Sequence, residues 1–507
     1  MKAKKAARKI PATMATQHPD HAGRPYWHSE AFIPAIEETR ELFLSLSDLG
    51  ANEYMWDWEG KLVDESVLER LMAKQFEYFK NNPLGKEKFL TFRLPNLKVE
   101  TEFRLGRALM GILSAAGLSK QVGMHSPPLF EVILPMTESA TEMLSVQEAF
   151  SEIASLKHPL NKFDQGSLKH IELIPLFEQV STIIRSAEIL EEYFEIHKKA
   201  FGFLPKTLRP FIARSDPALN SGLVPTVVAA KIALSKFKRF EKKYKVELYP
   251  IIGVGTLPFR GGLNPLHIQD FIAEYKGIRT ATIQSAFRYD FPLKKVKQAI
   301  KTLEQELPKH SALSLTQKEE EHLIKLIKPF EAEYQKSVNG LAPLINKVAG
   351  FIPRRRERVQ HIGLFGYSRG MGKVRLPRAI SFTAALYSIG IPPELIGTGR
   401  GLKKTIADGN IKLLEKTHVN LKKDLEKAGS FLNKPSLEKL AKTNKIYIGI
   451  LEDILEIEKY LGHSLKPKTG EEKKHFVIVA KIHQGLKTHK NITPLIEKAA
   501  ALRRSIG

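Results

Sequence analysis

Two acidic residues end successive apolar runs: Glu178 closes Ile174-Pro175-Leu176-Phe177, and Asp216 follows Ile212-Ala213-Arg214-Ser215. If both runs are strands of one sheet, the carboxylates stand side by side. They could then hold a hard cation such as Mg2+ or Mn2+ and leave coordination positions for substrate and water. His18 lies in Thr16-Gln17-His18-Pro19-Asp20, where the fixed φ of Pro19 restrains the chain beside the imidazole, as suits a general acid or base. Arg93 ends a third run, Arg288 follows an eighth that closes on Gln284, and Arg260 sits in Pro258-Phe259-Arg260-Gly261-Gly262. Arg369, Arg375 and Arg378 come later, and of these arginines Arg375 is the first expected at the surface. A divalent cation with several guanidinium groups is suited to gripping phosphate and carboxylate and to absorbing charge as it moves.

These residues need a scaffold that points many strand ends at one place. Eight short apolar runs end in polar residues: at Thr16-Gln17-His18, Trp56-Asp57, Phe92-Arg93, Pro135-Met136-Thr137, Phe177-Glu178, Ala213-Arg214-Ser215-Asp216, Val254-Gly255-Thr256 and Ile283-Gln284. Amphipathic segments of helical length lie between most of them, at 35–49, 67–78, 102–116, 226–242 and 266–274. Alternation of this kind predicts an α/β fold, a (β/α)8 TIM-like barrel whose active site is on the C-terminal face of the strands.

Residues 1–290 hold the eight strands, and 291–507 read as a helical elaboration of the same domain, with helices expected at 293–307, 316–341, 411–426, 436–461 and 493–504. An arginine- and glycine-rich loop near 352–378 interrupts them and suits an anion. Its stretch 366–374 looks faintly like a phosphate-binding P-loop. It has one residue too many before Gly372-Lys373 and Val374 where a Mg2+-binding Ser or Thr belongs.

Composition narrows the class. The 507 residues are 43% hydrophobic and 26% charged, as expected of a folded enzyme and not of a disordered chain. Without cysteine there are no disulfides, thiolate metal sites or cysteine nucleophiles. The basic start at 1–9 lacks the apolar core of a secretory signal, and the apolar stretch 379–396 is interrupted by Pro392, Pro393 and Glu394, so a cytoplasmic protein with no membrane span is expected. The net charge of +24 is assigned to solvated helix faces and a small polyanionic substrate, because no aromatic residues interleave the basic runs as nucleic-acid binding would need.

Several segments together resemble archaeal-type phosphoenolpyruvate carboxylase: Thr13-Met14-Ala15-Thr16-Gln17-His18-Pro19-Asp20, Ala213-Arg214-Ser215-Asp216-Pro217, Gly255-Thr256-Leu257-Pro258-Phe259-Arg260-Gly261-Gly262, Gly363-Leu364-Phe365-Gly366-Tyr367-Ser368-Arg369, Leu376-Pro377-Arg378-Ala379-Ile380 and Arg503-Arg504-Ser505-Ile506-Gly507. They run from one end of the chain to the other in the family's order. The resemblance implies Glu178 and Asp216 as metal ligands for Mg2+ or Mn2+, and His18, Arg260, Arg369 and Arg378 as catalytic residues. Arg93, Arg288 and Gln284 are further substrate-binding positions, and the glycine-ended tail is expected to reach back toward the site with a carboxylate that matters there.

The resemblance further implies that phosphoenolpyruvate and bicarbonate give oxaloacetate and phosphate through carboxyphosphate and a metal-bound pyruvate enolate, an anaplerotic carbon fixation by a homotetramer. Residues 251–255 lack the histidine and arginine of the larger enzymes' corresponding loop, and Leu219 stands where those carry a lysine, so acetyl-CoA activation is not carried over. Two other readings remain at this point: a metal-dependent lyase or aldolase acting on phosphoenolpyruvate or pyruvate, and a basic nucleic-acid-binding protein.

Overall fold

Eight parallel strands pair in sequence order and close into a barrel. In the computed structural model, which describes residues 8–61, 63–98, 100, 103–156, 168–357 and 375–507, they are β1 (Thr13–Thr16), β2 (Glu53–Asp57), β3 (Phe89–Arg93), β4 (Glu131–Leu134), β5 (Glu172–Phe177), β7 (Phe211–Ala213), β9 (Ile251–Gly253) and β10 (Thr280–Ile283). Strands β6 (Thr207–Leu208) and β8 (Glu247–Leu248) form a small sheet of their own. The (β/α)8 expectation is met, and each of the eight apolar runs supplies one barrel strand.

Side-chain alternation sorts the strand residues into two cores. Met14, Met55, Ile133, Ile174, Leu176, Phe211, Ala213 and Ile251 pack with one another inside the bore. Their neighbours Ala15, Tyr54, Trp56, Leu90, Phe92, Val132, Leu134, Ile212 and Ile252 face outward into a continuous core shared with the helices. The same period of two carries the inward series to Asp57 and Arg93 at the top of the barrel and to Glu53 and Glu131 at its base.

The base is closed by charge. The Arg209 guanidinium, 1% exposed, donates to Glu53 Oε1 at 3.0 Å, Glu53 Oε2 at 2.6 Å, Glu131 Oε2 at 2.9 Å and Thr280 Oγ1 at 3.1 Å. Arg8 adds ion pairs to Glu131 and Glu172. Burial alone would weaken these charges, but the arginines hold the Glu131 carboxyl below its ordinary value.

Also on the N-terminal side, before β5, His170 and His197 form a wire. Gln147 Nε2 meets His170 Nδ1 at 2.7 Å, the two Nε2 atoms lie 3.0 Å apart, and His197 Nδ1 meets Phe203 O at 3.0 Å. The carbonyl requires a proton on His197 Nδ1, so one set of neutral tautomers satisfies every ring nitrogen and a further proton would oppose two N–H groups. Burial, then the neighbouring ring, pushes His170 down from 6.5 to about 4; burial also lowers His197. A depressed histidine favours the folded state while it stays neutral. The stabilisation is therefore complete above pH 6.5 and is lost as pH falls from 6.5 toward about 4. We expect the melting temperature to drop across that window and to drop less in His170→Gln; an unchanged slope in the variant would refute this account.

Beyond the barrel, helices Leu293–Glu306, Gln317–Ala349 and Thr493–Arg503 agree with the expected segments or extend them, and Ala379–Ser388 is a further helix inside the apolar stretch 379–396. Two long segments are broken instead. The first divides into Ile411–Thr417 and Leu421–Gly429, because the Asn420 N–H is drawn to Glu274 Oε2 at 2.7 Å. The second divides into Lys434–Ala441 and Lys445–Leu461, with Asn444 capping the later helix. No helix among the described residues is long and apolar enough to cross a membrane.

Candidate active site

Glu178 follows β5, and the pairing of Phe177 with Ile212 sets it level with Ala213, three residues before Asp216 on the adjacent strand end. The Glu178 carboxylate is buried and accepts the Met136 N–H at 3.0 Å from the end of β4. Asp216 opens the short helix Ser215–Ser221 and is half-buried. The two residues therefore stand at the ends of adjacent strands.

Arg93 joins them from β3. Its guanidinium binds Asp57 Oδ1 at 2.8 Å and Glu59 Oε2 at 2.9 Å. Burial pulls this group down, but Asp57, Glu59 and Glu178 together outweigh it and hold Arg93 above its ordinary value. Arg378, at the N-cap of Ala379–Ser388, reaches the same edge: a Cβ on Gly60 would lie 3.4 Å from its guanidinium.

The second half of the site surrounds Arg260, which is 1% exposed. Its Nε–H donates to Ser215 Oγ at 3.0 Å, one terminal nitrogen to Asp20 Oδ2 at 3.0 Å and to Gly507 O, and the other to Gln284 Oε1. Four acceptors thus take four of its five N–H bonds. Burial lowers Arg260 from the ordinary guanidinium value, against the pull of Asp20. Gly255 makes the room: a Cβ there would be 3.0 Å from Arg260 Cζ. The Gly261-Gly262 pair completes the turn that carries Arg260. Both glycines have positive φ, and their N–H groups bond Pro258 O and Leu257 O within the turn.

His18 is half-buried, and its Nδ1 lies 2.9 Å from Thr16 Oγ1. Ser285 Oγ donates to His18 O at 2.6 Å, tying the His18 loop to the end of β10. Segment 503–507 does reach the site. The Ile506 N–H donates to Asp20 O at 2.7 Å, and a Cβ on Gly507 would fall 2.1 Å from Ile380 O, so only glycine fits.

Arg288 is not brought together with the others. Its side chain lies between the barrel and helix Glu38–Ser47, donating to Thr16 O at 2.6 Å, Ser45 Oγ at 2.7 Å and Glu41 Oε1 at 3.1 Å. The chain turns helical at Ser285, which rotates residue 288 off the strand-end face. Arg375 is exposed, as expected, and Arg369 lies outside the described residues. Sequence reasoning missed Asp20 and Ser215 as partners of Arg260, and Asp57 and Glu59 as partners of Arg93. The available signal was that a guanidinium placed at a barrel mouth needs a carboxylate.

The sequence profile of the family described as Phosphoenolpyruvate carboxylase matches residues 10–507. The chain belongs to this family. The phosphoenolpyruvate carboxylase of Leuconostoc mesenteroides subsp. mesenteroides is 38% identical over 506 residues, 99% of this chain and 100% of that one. The phosphoenolpyruvate carboxylases of the archaea Metallosphaera sedula and Methanothermobacter thermautotrophicus are 38% and 37% identical, covering 99% and 98% of this chain and 100% of each relative. As a member of the archaeal-type phosphoenolpyruvate carboxylase family the chain is an enzyme.

Proposed function

We propose that the protein carboxylates phosphoenolpyruvate with bicarbonate to give oxaloacetate and phosphate. What supports this reading is the match to the family over residues 10–507, in a chain whose Glu178, Asp216, Arg93 and His18 stand at barrel strand ends and whose Arg260 is buried against Asp20. Among the described residues no three His, Cys, Asp or Glu side chains gather as a metal site. Two oxygen donors on adjacent strand ends fit a hard cation that keeps positions for substrate and water. Glu178 and Asp216 would hold Mg2+ or Mn2+, which when bound supplies Lewis-acid stabilisation of charge developing on substrate oxygen.

The chain's own groups account for the rest. Arg93 and Arg378 bind phosphate and carboxylate oxygens, and Arg260 with Gln284 supplies fixed positive charge beside the His18 loop. Bicarbonate oxygen attacks phosphorus as the enol oxygen–phosphorus bond breaks, leaving carboxyphosphate and the pyruvate enolate. Carboxyphosphate passes its proton to His18, its carbon–oxygen bond to phosphate breaks, and C3 of the enolate attacks the carbon dioxide released. Thr16 Oγ1 lies 2.9 Å from Nδ1 of His18, which supports a reading in which Nε2 exchanges the proton. His18→Asn accordingly should retain more phosphate release than oxaloacetate formation, measured in parallel; equal loss of both would remove His18 from this role.

The test of the whole reading is oxaloacetate formation coupled to malate dehydrogenase, with phosphoenolpyruvate, bicarbonate and Mg2+ each omitted in turn. Activity that needs all three supports it, whereas phosphate release independent of bicarbonate would point to another lyase. The proposed assembly is a homotetramer of 57.2 kDa chains in the cytoplasm, with light scattering as the check on its mass.

A further inference from the structure

The Arg260 turn has one backbone donor that it cannot satisfy itself. In the 3-10 turn Pro258–Arg260, proline occupies the first position and has no N–H, and the N–H groups of Arg260, Gly261 and Gly262 bond Leu257 O, Pro258 O and Leu257 O. The Phe259 N–H has no acceptor within the turn. Glu394 supplies one from outside: its Oε1 accepts the Phe259 N–H at 2.9 Å and the Tyr387 O–H at 2.7 Å. Glu394 is fully buried, in a turn opened by Pro392-Pro393 and tied down by the Thr398 hydroxyl, which donates to Glu394 O at 2.7 Å. The Phe259 ring packs against Phe382 at 5.9 Å and Tyr334 at 6.3 Å.

The turn's internal bonds fix its shape, while Glu394 fixes its place against helix Ala379–Ser388. We propose that Glu394 is a positioning residue for the reaction: through the Phe259 N–H its carboxyl sets where the Arg260 turn sits, and hence where the Arg260 guanidinium stands at the barrel mouth. This rests on the function proposed above. Glu394 touches neither carboxylate of the pair nor His18, and its Oε2 has no hydrogen-bond partner among the described residues.

Its surroundings link this hold to pH. Tyr387 faces Glu394 from helix Ala379–Ser388, Tyr334 from Gln317–Ala349, and Asp424 and Lys427 from Leu421–Gly429. Burial raises the carboxyl from 4.5 to about 7, with the Tyr387 and Phe259 hydrogen bonds opposing. A neutral acid and a carboxylate therefore exchange near pH 7, and the carboxylate is the stronger acceptor for the Phe259 N–H.

The test is kcat and KM for phosphoenolpyruvate between pH 6 and 8.5 in wild type, Glu394→Gln, Glu394→Leu and Arg260→Ala. Glu394→Leu strands the buried Phe259 N–H and Tyr387 O–H, so it should melt earlier than wild type, and in the folded enzyme kcat should fall about tenfold to a hundredfold, as displaced catalytic groups do. Glu394→Gln keeps an acceptor for Phe259, so kcat should return to within about threefold of wild type at neutral pH, with the inflection near pH 7 gone. A folded Glu394→Leu enzyme with wild-type kcat overturns the inference. If that variant does not fold, a Glu394→Gln profile superposable on wild type overturns it. Full turnover in Arg260→Ala would instead sink the active-site reading; an inactive Arg260→Ala beside a fully active Glu394→Leu sinks only the role of Glu394.

Discussion

Asp216→Asn should lower oxaloacetate turnover by about a hundredfold or more, the usual effect of deleting one electrostatic contact to a developing charge. Asp216 is half-buried at the start of a seven-residue helix, so amide for carboxylate preserves shape and packing and should leave the enzyme folded. The loss must come from charge. Glu178 stands on the adjacent strand end and already accepts the Met136 N–H, so it cannot by itself replace the missing carboxylate. Coupled assays across Mg2+ and Mn2+ concentrations separate weakened cation binding, which raised metal would offset, from lost transition-state stabilisation, which it would not. Turnover within about threefold of wild type at saturating metal would exclude Asp216 from the chemistry.

Arg260→Ala should abolish turnover to a similar extent and also destabilise the fold. On the sequence alone its removal would be expected to leave the fold intact, but the structure changes that expectation. Asp20, fully buried, would lose its guanidinium partner, and Gln284 Oε1 and Gly507 O would lose their donors. Breaking a buried pair on one side costs about 3–5 kcal/mol. Urea unfolding reads this directly. Adding Asp20→Asn removes the stranded charge, so the double variant should regain part of the stability while remaining inactive. A single variant as stable as wild type would mean that Asp20 finds another partner; one that keeps turnover would take Arg260 out of the site.

The strands were legible because barrel strands are short and buried on both faces, so each reads as an apolar run ending abruptly in polar residues. That made Glu178, Asp216 and Arg93 recognisable as strand-end residues before any coordinates. The side-chain partners were not legible, since Asp20 meets Arg260 across 240 residues and no local spacing encodes such a contact. Arg288 was misplaced for a local reason: one residue of helix after Gln284 begins a rotation of about 100° per residue, so counting from a strand end no longer gives direction. The breaks at 418–420 and 442–444 were missed because apolar spacing continues through them. Asn444, whose side chain caps the later helix, was the available warning at the second break, whereas Asn420 is held by Asp270 and Glu274, 150 and 146 residues away.

The charged base of the barrel bears on where a gas can go. Arg209 with Glu53, Glu131 and Thr280 closes the lower end, and Met14, Met55, Ile133, Ile174, Phe211 and Ile251 fill the bore above it. The barrel is thus closed at its base, and carbon dioxide set free during the proposed carboxylation has no way out through the bore. How often that molecule escapes before the enolate captures it is decided at the rim. Substitutions at the base should shorten the life of the enzyme and leave its ratio of oxaloacetate to pyruvate alone.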